Sequence, residues 1–170
     1  MHESAKINAL KFVTKYINKK EPYILDVGSY NINGTLKEVC PVNSIYTGID
    51  VELGDNVDCV IKDYNFPLED NTFDVVMSSS TFEHCDFFWL VFLEMVRCVK
   101  PNGYIYINVP SSGYAHAFPI DAWRFYPDAG AVLSKWANFN NYNTVLAESY
   151  IDESSEYWKD NVIIIQKKSI

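Results

Sequence analysis

An acidic residue and a glycine stand at a spacing that suits a nucleoside-binding site. Gly28 ends a short apolar segment, and Asp50 ends a second apolar segment 22 residues further along the chain. A glycine permits a tight turn close to a ligand, and an acidic side chain about 20 residues later can accept hydrogen bonds from a ribose. The spacing therefore indicates a nucleoside cofactor. Asp50 is also explained as a capping or turn carboxylate, and that alternative stays open.

The loop after Gly28 argues against a dinucleotide. The pattern G-x-G-x-x-G needs a second glycine that lets the backbone approach the pyrophosphate, and Tyr30 occupies that position. S-adenosylmethionine carries no phosphate, so one glycine, one acidic residue for the ribose and polar residues after the strands are sufficient to bind it. A nicotinamide-dependent oxidoreductase is the weaker alternative because of Tyr30.

Two histidines are candidates for a general base. His84 follows Glu83, and His116 belongs to a long aromatic segment, residues 111–128. An imidazole with a pKa of about 6.5 accepts a proton at physiological pH. We rank His116 ahead of His84 as the proton acceptor, with Asp121 orienting its ring. The alternative for His84 is a helix cap that lines the pocket without chemistry.

The segment 111–128 has two interpretations that do not exclude each other. Its aromatic, basic and acidic residues suit a lid in which residues 114–126 close over an acceptor. It is equally explained as a buried connection in which Asp121 and Arg124 pair and Trp123 fills the core.

Charge and cysteine content exclude several classes of function. The 170 residues include 22 Asp and Glu and 14 Lys and Arg, a formal net charge of -8, which opposes binding to nucleic-acid phosphates. The four cysteines form no C-x-x-C pair, and the adjacent His84 and Cys85 are poorly placed to chelate one ion, so no metal site is predicted. The sequence shows no signal-like start and no apolar run of about 20 residues, which predicts a soluble, cytoplasmic protein.

The elements that must position these residues alternate between strands and helices. Helices are predicted over residues 5–17, 87–100 and 128–137, the second ending at the turn 101–103. Strands are predicted at residues 23–28, 44–50, 57–61, 73–78, 104–109, 144–150 and 161–166. The alternation implies a mostly parallel sheet, and the last two strands, joined without a helix, imply an antiparallel hairpin at its edge. The predicted fold class is therefore α/β, a doubly wound Rossmann-like sheet of about seven strands in a single domain, residues 1–170.

Four segments carry a resemblance to a known family. In chain order they are Ile24-Leu25-Asp26-Val27-Gly28, Tyr46-Thr47-Gly48-Ile49-Asp50, Phe73-Asp74-Val75-Val76 through Phe82-Glu83-His84, and Val99-Lys100-Pro101-Asn102-Gly103-Tyr104-Ile105. Together they resemble the successive motifs of the class I S-adenosylmethionine-dependent methyltransferases often called type 11. The resemblance implies S-adenosylmethionine as the cofactor, and it implies these cofactor-binding residues: Asp26 and Gly28 at the methionine tail with Ser29 in the same loop, Asp50 at the ribose, Val51, Asp63 and Tyr64 at the adenine, and Ser79 and Ser80 near the sulfonium.

The resemblance implies methyl transfer, and the acidic composition favours a small-molecule or sugar-like acceptor over nucleic acid. No membrane partner is expected, and a homodimer is left open. The alternative is a non-catalytic S-adenosylmethionine-binding module that acts through a protein partner. The nearly all-round apolar helix, residues 87–99, would then lend it an interface.

Overall fold

Seven strands form one sheet in the computed structural model, which describes residues 2–155 and 157–169. The strands are β1 (Tyr23–Val27), β2 (Ile45–Asp50), β3 (Cys59–Val60), β4 (Phe73–Ser79), β5 (Val99–Pro110), β6 (Thr144–Ile151) and β7 (Asp160–Lys167). Their order in the sheet is β3-β2-β1-β4-β5-β7-β6. Strands β1 to β5 pair in parallel, whereas β7 pairs antiparallel with both β5 and β6. The predicted α/β class, the mostly parallel sheet and the antiparallel C-terminal hairpin are confirmed.

Helices cover both faces of the sheet. They are α1 (Glu3–Tyr16), α2 (Phe88–Cys98) and α3 (Ala129–Phe139). Because successive side chains of a strand point to opposite faces, Ile24 packs with Phe12 of α1 and Leu25 packs with Phe92 of α2. Both of these β1 side chains are fully buried, which explains why the strand is largely apolar on both faces rather than alternating.

One predicted strand is shorter than expected. Residues 57–61 were predicted as a strand, but only Cys59 and Val60 pair, with Ile49 and Asp50 of β2. The edge position of β3 explains this difference, because an edge strand has a partner on one side alone.

The predicted turn at residues 101–103 lies inside β5. Phe73 pairs with Val99, and Val75 pairs with Tyr104, so residues 100–103 bulge out of the ladder. Asn102 adopts a positive φ of 67° within this bulge. Residues 101–103 therefore do interrupt the regular strand, as predicted, but they do so as a bulge within β5 and not as a turn before it.

The strand order changes direction at β1, in the middle of the sheet. From β1 the chain passes to β2 and β3 on one side, and it then crosses to β4 and β5 on the other side. β1 lies between β2 and β4, so the strand order reverses there. In open α/β sheets a ligand binds outside the carboxyl ends of the strands at such a point. Within the described residues, no helix combines the length and apolar character that crossing a membrane requires.

Candidate functional site

A cavity of about 400 Å³ lies at the carboxyl ends of β1, β2 and β4. Gly28 follows β1, Asp50 ends β2 and Ser80 follows β4, and all three line the cavity. Residues 118–120, from the segment after β5, line another part of its wall. The volume falls in the range of about 300–1,000 Å³ that is typical of small-molecule sites.

Gly28 is required by the packing of the protein itself. Its φ is 81°, and a Cβ at this position would lie 2.1 Å from Oγ1 of Thr81. The Gly28 N–H donates to the Ile49 carbonyl oxygen at 2.9 Å. The missing side chain therefore makes room for Thr81 after β4, while the residue also lines the cavity.

Asp50 is both a turn carboxylate and part of the cavity wall. Its Oδ2 accepts the backbone N–H of Tyr30 at 3.0 Å, and its Oδ1 accepts the N–H groups of Val51 and Glu52 at 2.7 and 3.3 Å. These bonds fix the orientation of the carboxylate. An ionised carboxylate has about four acceptor positions, so one position remains for a hydroxyl group of a bound ligand.

The structure brings six of the predicted cofactor-binding residues to the cavity wall. They are Gly28, Asp50, Val51, Asp63, Tyr64 and Ser80. Asp63 is oriented by the Asn65 backbone N–H, which donates to its Oδ1 at 2.8 Å. The Tyr64 ring lies 5.5 Å from the Phe87 ring, centroid to centroid.

Three predicted cofactor-binding residues lie behind the wall and do not line the cavity. Asp26 is buried and accepts a hydrogen bond from the Tyr46 hydroxyl. Burial raises the pKa of the Asp26 carboxyl to about 7. Ser29 is also buried and donates to the Asn56 carbonyl oxygen at 2.9 Å. The buried Ser79 hydroxyl has no hydrogen-bond partner among the described residues.

The cavity is acidic, and this bears on the charge of its ligand. Its wall contains one lysine, Lys62, and four carboxyl side chains: Asp50, Glu52, Asp63 and Asp86. Such a surface attracts cations and repels phosphates. Between Gly28 and Val39 the only helix is a 3-10 helix, Leu36–Val39, so no α-helix N-terminus follows β1 to bind a pyrophosphate. The site fits a nucleoside with a cationic substituent better than a dinucleotide.

His84 is the histidine that lines the cavity. It ends a short 3-10 helix, Phe82–His84, that follows β4. Its Nδ1 lies 2.6 Å from the carbonyl oxygen of Ile120, so Nδ1–H donates there and Nε2 is the nitrogen that remains unprotonated. Burial lowers the pKa of the His84 imidazole, which keeps the ring neutral at physiological pH.

His116 lies next to His84, and their ring centroids are 4.9 Å apart. Asp121 accepts the His116 backbone N–H at 2.7 Å and binds the Arg124 guanidinium at 2.5 and 2.8 Å. Arg124 holds the pKa of Asp121 well below its usual range. Trp123 packs against the core on the α2 side of the sheet. The predicted pairing of Asp121 with Arg124 and the packing of Trp123 are therefore both present.

The segment 111–128 is attached to the 3-10 helix Phe82–His84 and the residue after it. The Ala122 N–H donates to the Glu83 carbonyl oxygen at 2.8 Å, and Trp123 Nε1 donates to the Cys85 carbonyl oxygen at the same distance. These bonds hold residues 118–120 at the cavity wall.

Comparison with known proteins gives one match to a family model. Residues 26–107, just under half of the chain, match the family model of the methyltransferase domain. This part of the chain is therefore similar to a methyltransferase domain. No curated protein matches the sequence.

Solved structures of methyltransferases share the fold of this chain at low identity. One is the 1,6-didemethyltoxoflavin-N1-methyltransferase of Burkholderia thailandensis, solved with 1,6-didemethyltoxoflavin and S-adenosylhomocysteine. It is 14% identical to this chain with a TM-score of 0.74, and the match covers 99% of this chain and 80% of the Burkholderia chain. An S-adenosylmethionine-dependent methyltransferase of Aquifex aeolicus is 15% identical with a TM-score of 0.63, covering 98% and 94%. A chain from the Haloferax volcanii complex of the Trm112 methyltransferase activator with a methyltransferase is 15% identical with a TM-score of 0.66, covering 99% and 92%.

Sequence reasoning missed two residues that support the cavity wall. Thr81 packs against Gly28, and Tyr46 binds the buried Asp26. The position of Thr81, directly after Ser79 and Ser80, was the available signal. No local pattern in the sequence indicates the role of Tyr46, because its contact with Asp26 depends on the register in which Ile24 pairs with Tyr46.

Proposed function

We propose that this protein is a methyltransferase that binds S-adenosylmethionine in the cavity and transfers its methyl group to a small-molecule acceptor. The observation that carries the proposal is the acidic cavity at the carboxyl ends of β1, β2 and β4. S-adenosylmethionine is cationic at its sulfonium and lacks phosphates, so it matches the charge of this wall. When bound, it supplies a methyl group that is already activated for transfer.

The residues of the wall divide into two groups in this proposal. Asp50 holds the ribose hydroxyls, since its carboxylate is preoriented by three backbone N–H groups. Asp63 accepts the adenine amino group, and Val51 and Tyr64 pack beside the base. Ser80 and His84 lie on the wall after β4, where the methyl group would meet the acceptor.

The segment 111–128 is proposed to position the acceptor and exclude water. Residues 118–120 already form part of the wall, and Phe118 is more than half exposed. For an oxygen or nitrogen acceptor a proton must leave, and His116 or His84 would accept it. The neutral His84 ring has a free Nε2 on the wall, and His116 lies next to it. Alignment of the acceptor with the methyl group provides most of the rate acceleration.

A small acceptor is favoured by charge and by one structural relative. The net charge of -8 opposes binding to nucleic acid. The Burkholderia thailandensis relative acts on a small molecule, 1,6-didemethyltoxoflavin. The alternative of a non-catalytic module with an interface on α2 is not favoured, because α2 buries Val91, Phe92, Met95 and Val96 and leaves Leu90 exposed.

A methylation screen tests the proposal. Purified protein is incubated with methyl-labelled S-adenosylmethionine and a library of small hydroxyl, amine and carbon-acid acceptors, and labelled product is counted. We expect label in at least one acceptor class, and less label at low cofactor concentration when Asp50→Ala replaces the native protein. Cofactor binding without transfer to any acceptor would contradict the enzymatic proposal and support the module that acts through a partner.

A further inference from the structure

Three side chains with metal-binding atoms meet beside the cavity. Glu83, His84 and His116 each offer one ligand atom, and these atoms all lie within 4.8 Å of one another. His84 lines the cavity, whereas Glu83 is buried beneath it. In sequence, His84 and His116 are separated by α2 and β5, so the grouping arises from the fold.

Glu83 is a buried carboxyl group with an unsatisfied oxygen. The residue is 1% exposed, and its Oε2 has no hydrogen-bond partner among the described residues. The nearest guanidinium, that of Arg124, gives both of its Nη atoms to Asp121. Burial raises the pKa of the Glu83 carboxyl to about 8. Burying a carboxyl oxygen without a hydrogen-bond partner costs free energy, so Glu83 Oε2 has an acceptor position that a bound ligand could fill.

The two imidazoles are arranged as metal ligands usually are. His84 donates Nδ1–H to the Ile120 carbonyl oxygen, which leaves Nε2 free, 3.8 Å from Glu83 Oε1. A ligating histidine typically donates its other ring N–H to a carbonyl or a carboxylate in this way. The Nδ1 of His116 is buried and lies 3.0 Å from Asp121 Oδ2, but it makes no hydrogen bond.

We propose that Glu83, His84 and His116 bind one divalent transition-metal ion of the zinc type at the edge of the cavity. Two imidazoles and one carboxylate form a three-ligand set that zinc accepts while keeping a further position open. The open position lies next to the cavity, since His84 is part of its wall. Asp50 and Asp63 do not contribute to this site, so it is separate from the proposed cofactor contacts.

The distances require a modest closure on binding. Ligand atoms about 2.0–2.2 Å from zinc lie roughly 3.5 Å apart in a tetrahedral arrangement. The present separations of up to 4.8 Å would shorten by about 1 Å. Rotation of the His116 ring, which is about one third exposed, can provide this change.

A cobalt titration tests the site without any measurement of activity. Protein freed of metal by a chelator is titrated with Co²⁺, and the visible absorption of the bound ion and the heat of binding are recorded. We expect one Co²⁺ per chain, displaced by Zn²⁺ and with no thiolate charge-transfer band. His84→Ala and His116→Ala should each weaken binding at least about 10-fold.

The third histidine of the chain provides the matched control. His2 contacts the Trp158 ring, as His116 does, but is not part of the cluster. His2→Ala should bind Co²⁺ as the native protein does, and Glu83→Gln, which keeps the shape of the side chain, should bind it weakly while retaining the native circular dichroism. Absence of stoichiometric binding, binding retained in both His84→Ala and His116→Ala, or a thiolate band would each overturn the proposal.

Discussion

Asp50 shows how one carboxylate can serve both a turn and a ligand. It accepts three backbone N–H groups and also lines the cavity. We expect Asp50→Ala to weaken S-adenosylhomocysteine binding by about 1–3 kcal/mol, because a charged hydrogen-bond acceptor is lost. Isothermal titration calorimetry measures this change, and circular dichroism verifies the fold.

Asp55 provides a control for Asp50. It accepts a hydrogen bond from Asn31 at 2.8 Å on the neighbouring loop and does not line the cavity. Asp55→Ala should leave the dissociation constant unchanged. If Asp50→Ala also left the dissociation constant unchanged in a folded protein, Asp50 would stabilise the turn after β2 without binding the cofactor.

Asp26 is expected to make stability depend on pH. Burial raises the pKa of its carboxyl from the ordinary 3.8 to about 7 in the folded protein. The folded state therefore holds a proton that the unfolded state releases between these values. The contribution of this group to the free energy of unfolding is fully present below about pH 4. It decreases as the pH rises towards 7, by at most about 1.4 kcal/mol per pH unit.

Urea unfolding of the native protein and of Asp26→Asn at pH 4 to 8 measures this contribution. The asparagine variant keeps an oxygen that can accept the Tyr46 hydroxyl but cannot titrate. We expect the native protein to lose stability relative to the variant as the pH rises. A constant difference across this range would contradict a raised pKa at Asp26.

The sequence was sufficient to predict which residues lie at the ends of strands. It was not sufficient to predict where their side chains point. Gly28 and Asp50 follow apolar strands, so their place at the sheet edge could be inferred from the sequence. Asp26 precedes Gly28 by two residues, yet it is buried against Tyr46. The burial of Glu83 likewise depends on the distant segment that covers it, through the Ala122 N–H.

At the scale of elements, the segment 111–128 is the part of the structure nearest to the proposed acceptor. It is bound to the residues after β4 by Ala122 and Trp123. We expect His116→Ala to leave S-adenosylhomocysteine affinity nearly unchanged and to lower turnover about 100-fold, the scale of a lost general base. Once an acceptor is known, steady-state kinetics and calorimetry measure the two quantities.

His2→Ala serves again as the comparison for His116→Ala, because both rings contact Trp158. Full turnover in His116→Ala would leave His116 a packed loop residue. A large loss of cofactor affinity would instead place the loop in the cofactor site. The cobalt titration separates a lost proton acceptor from a lost metal ligand.

Element order was predictable because each strand or helix carries its own periodicity. Long-range contacts were not. Lys167 looks like half of a basic pair in the sequence, yet its Nζ is buried and donates to the carbonyl oxygens of Val96 and Val99 at the end of α2. This contact joins β7 to a helix about 70 residues earlier, a separation that no local pattern encodes.

At the scale of the whole molecule, acidity is the property that links composition to the site. The chain has a net charge of -8, and its cavity wall is likewise richer in acidic than in basic side chains, with four carboxyl groups and one lysine. A cationic nucleoside is attracted to such a wall and a pyrophosphate is repelled. The choice between the two cofactors is therefore the central claim.

Thermal unfolding with each of two ligands, a nucleoside and a dinucleotide, tests that claim most directly. Purified protein is heated alone, with S-adenosylhomocysteine and with NAD, each ligand at the same concentration. At about 100 times its dissociation constant, S-adenosylhomocysteine should stabilise the folded state by about 2.7 kcal/mol and raise the Tm by about 5–10 °C. We expect no shift with NAD. A shift with NAD and none with S-adenosylhomocysteine would contradict the proposed cofactor.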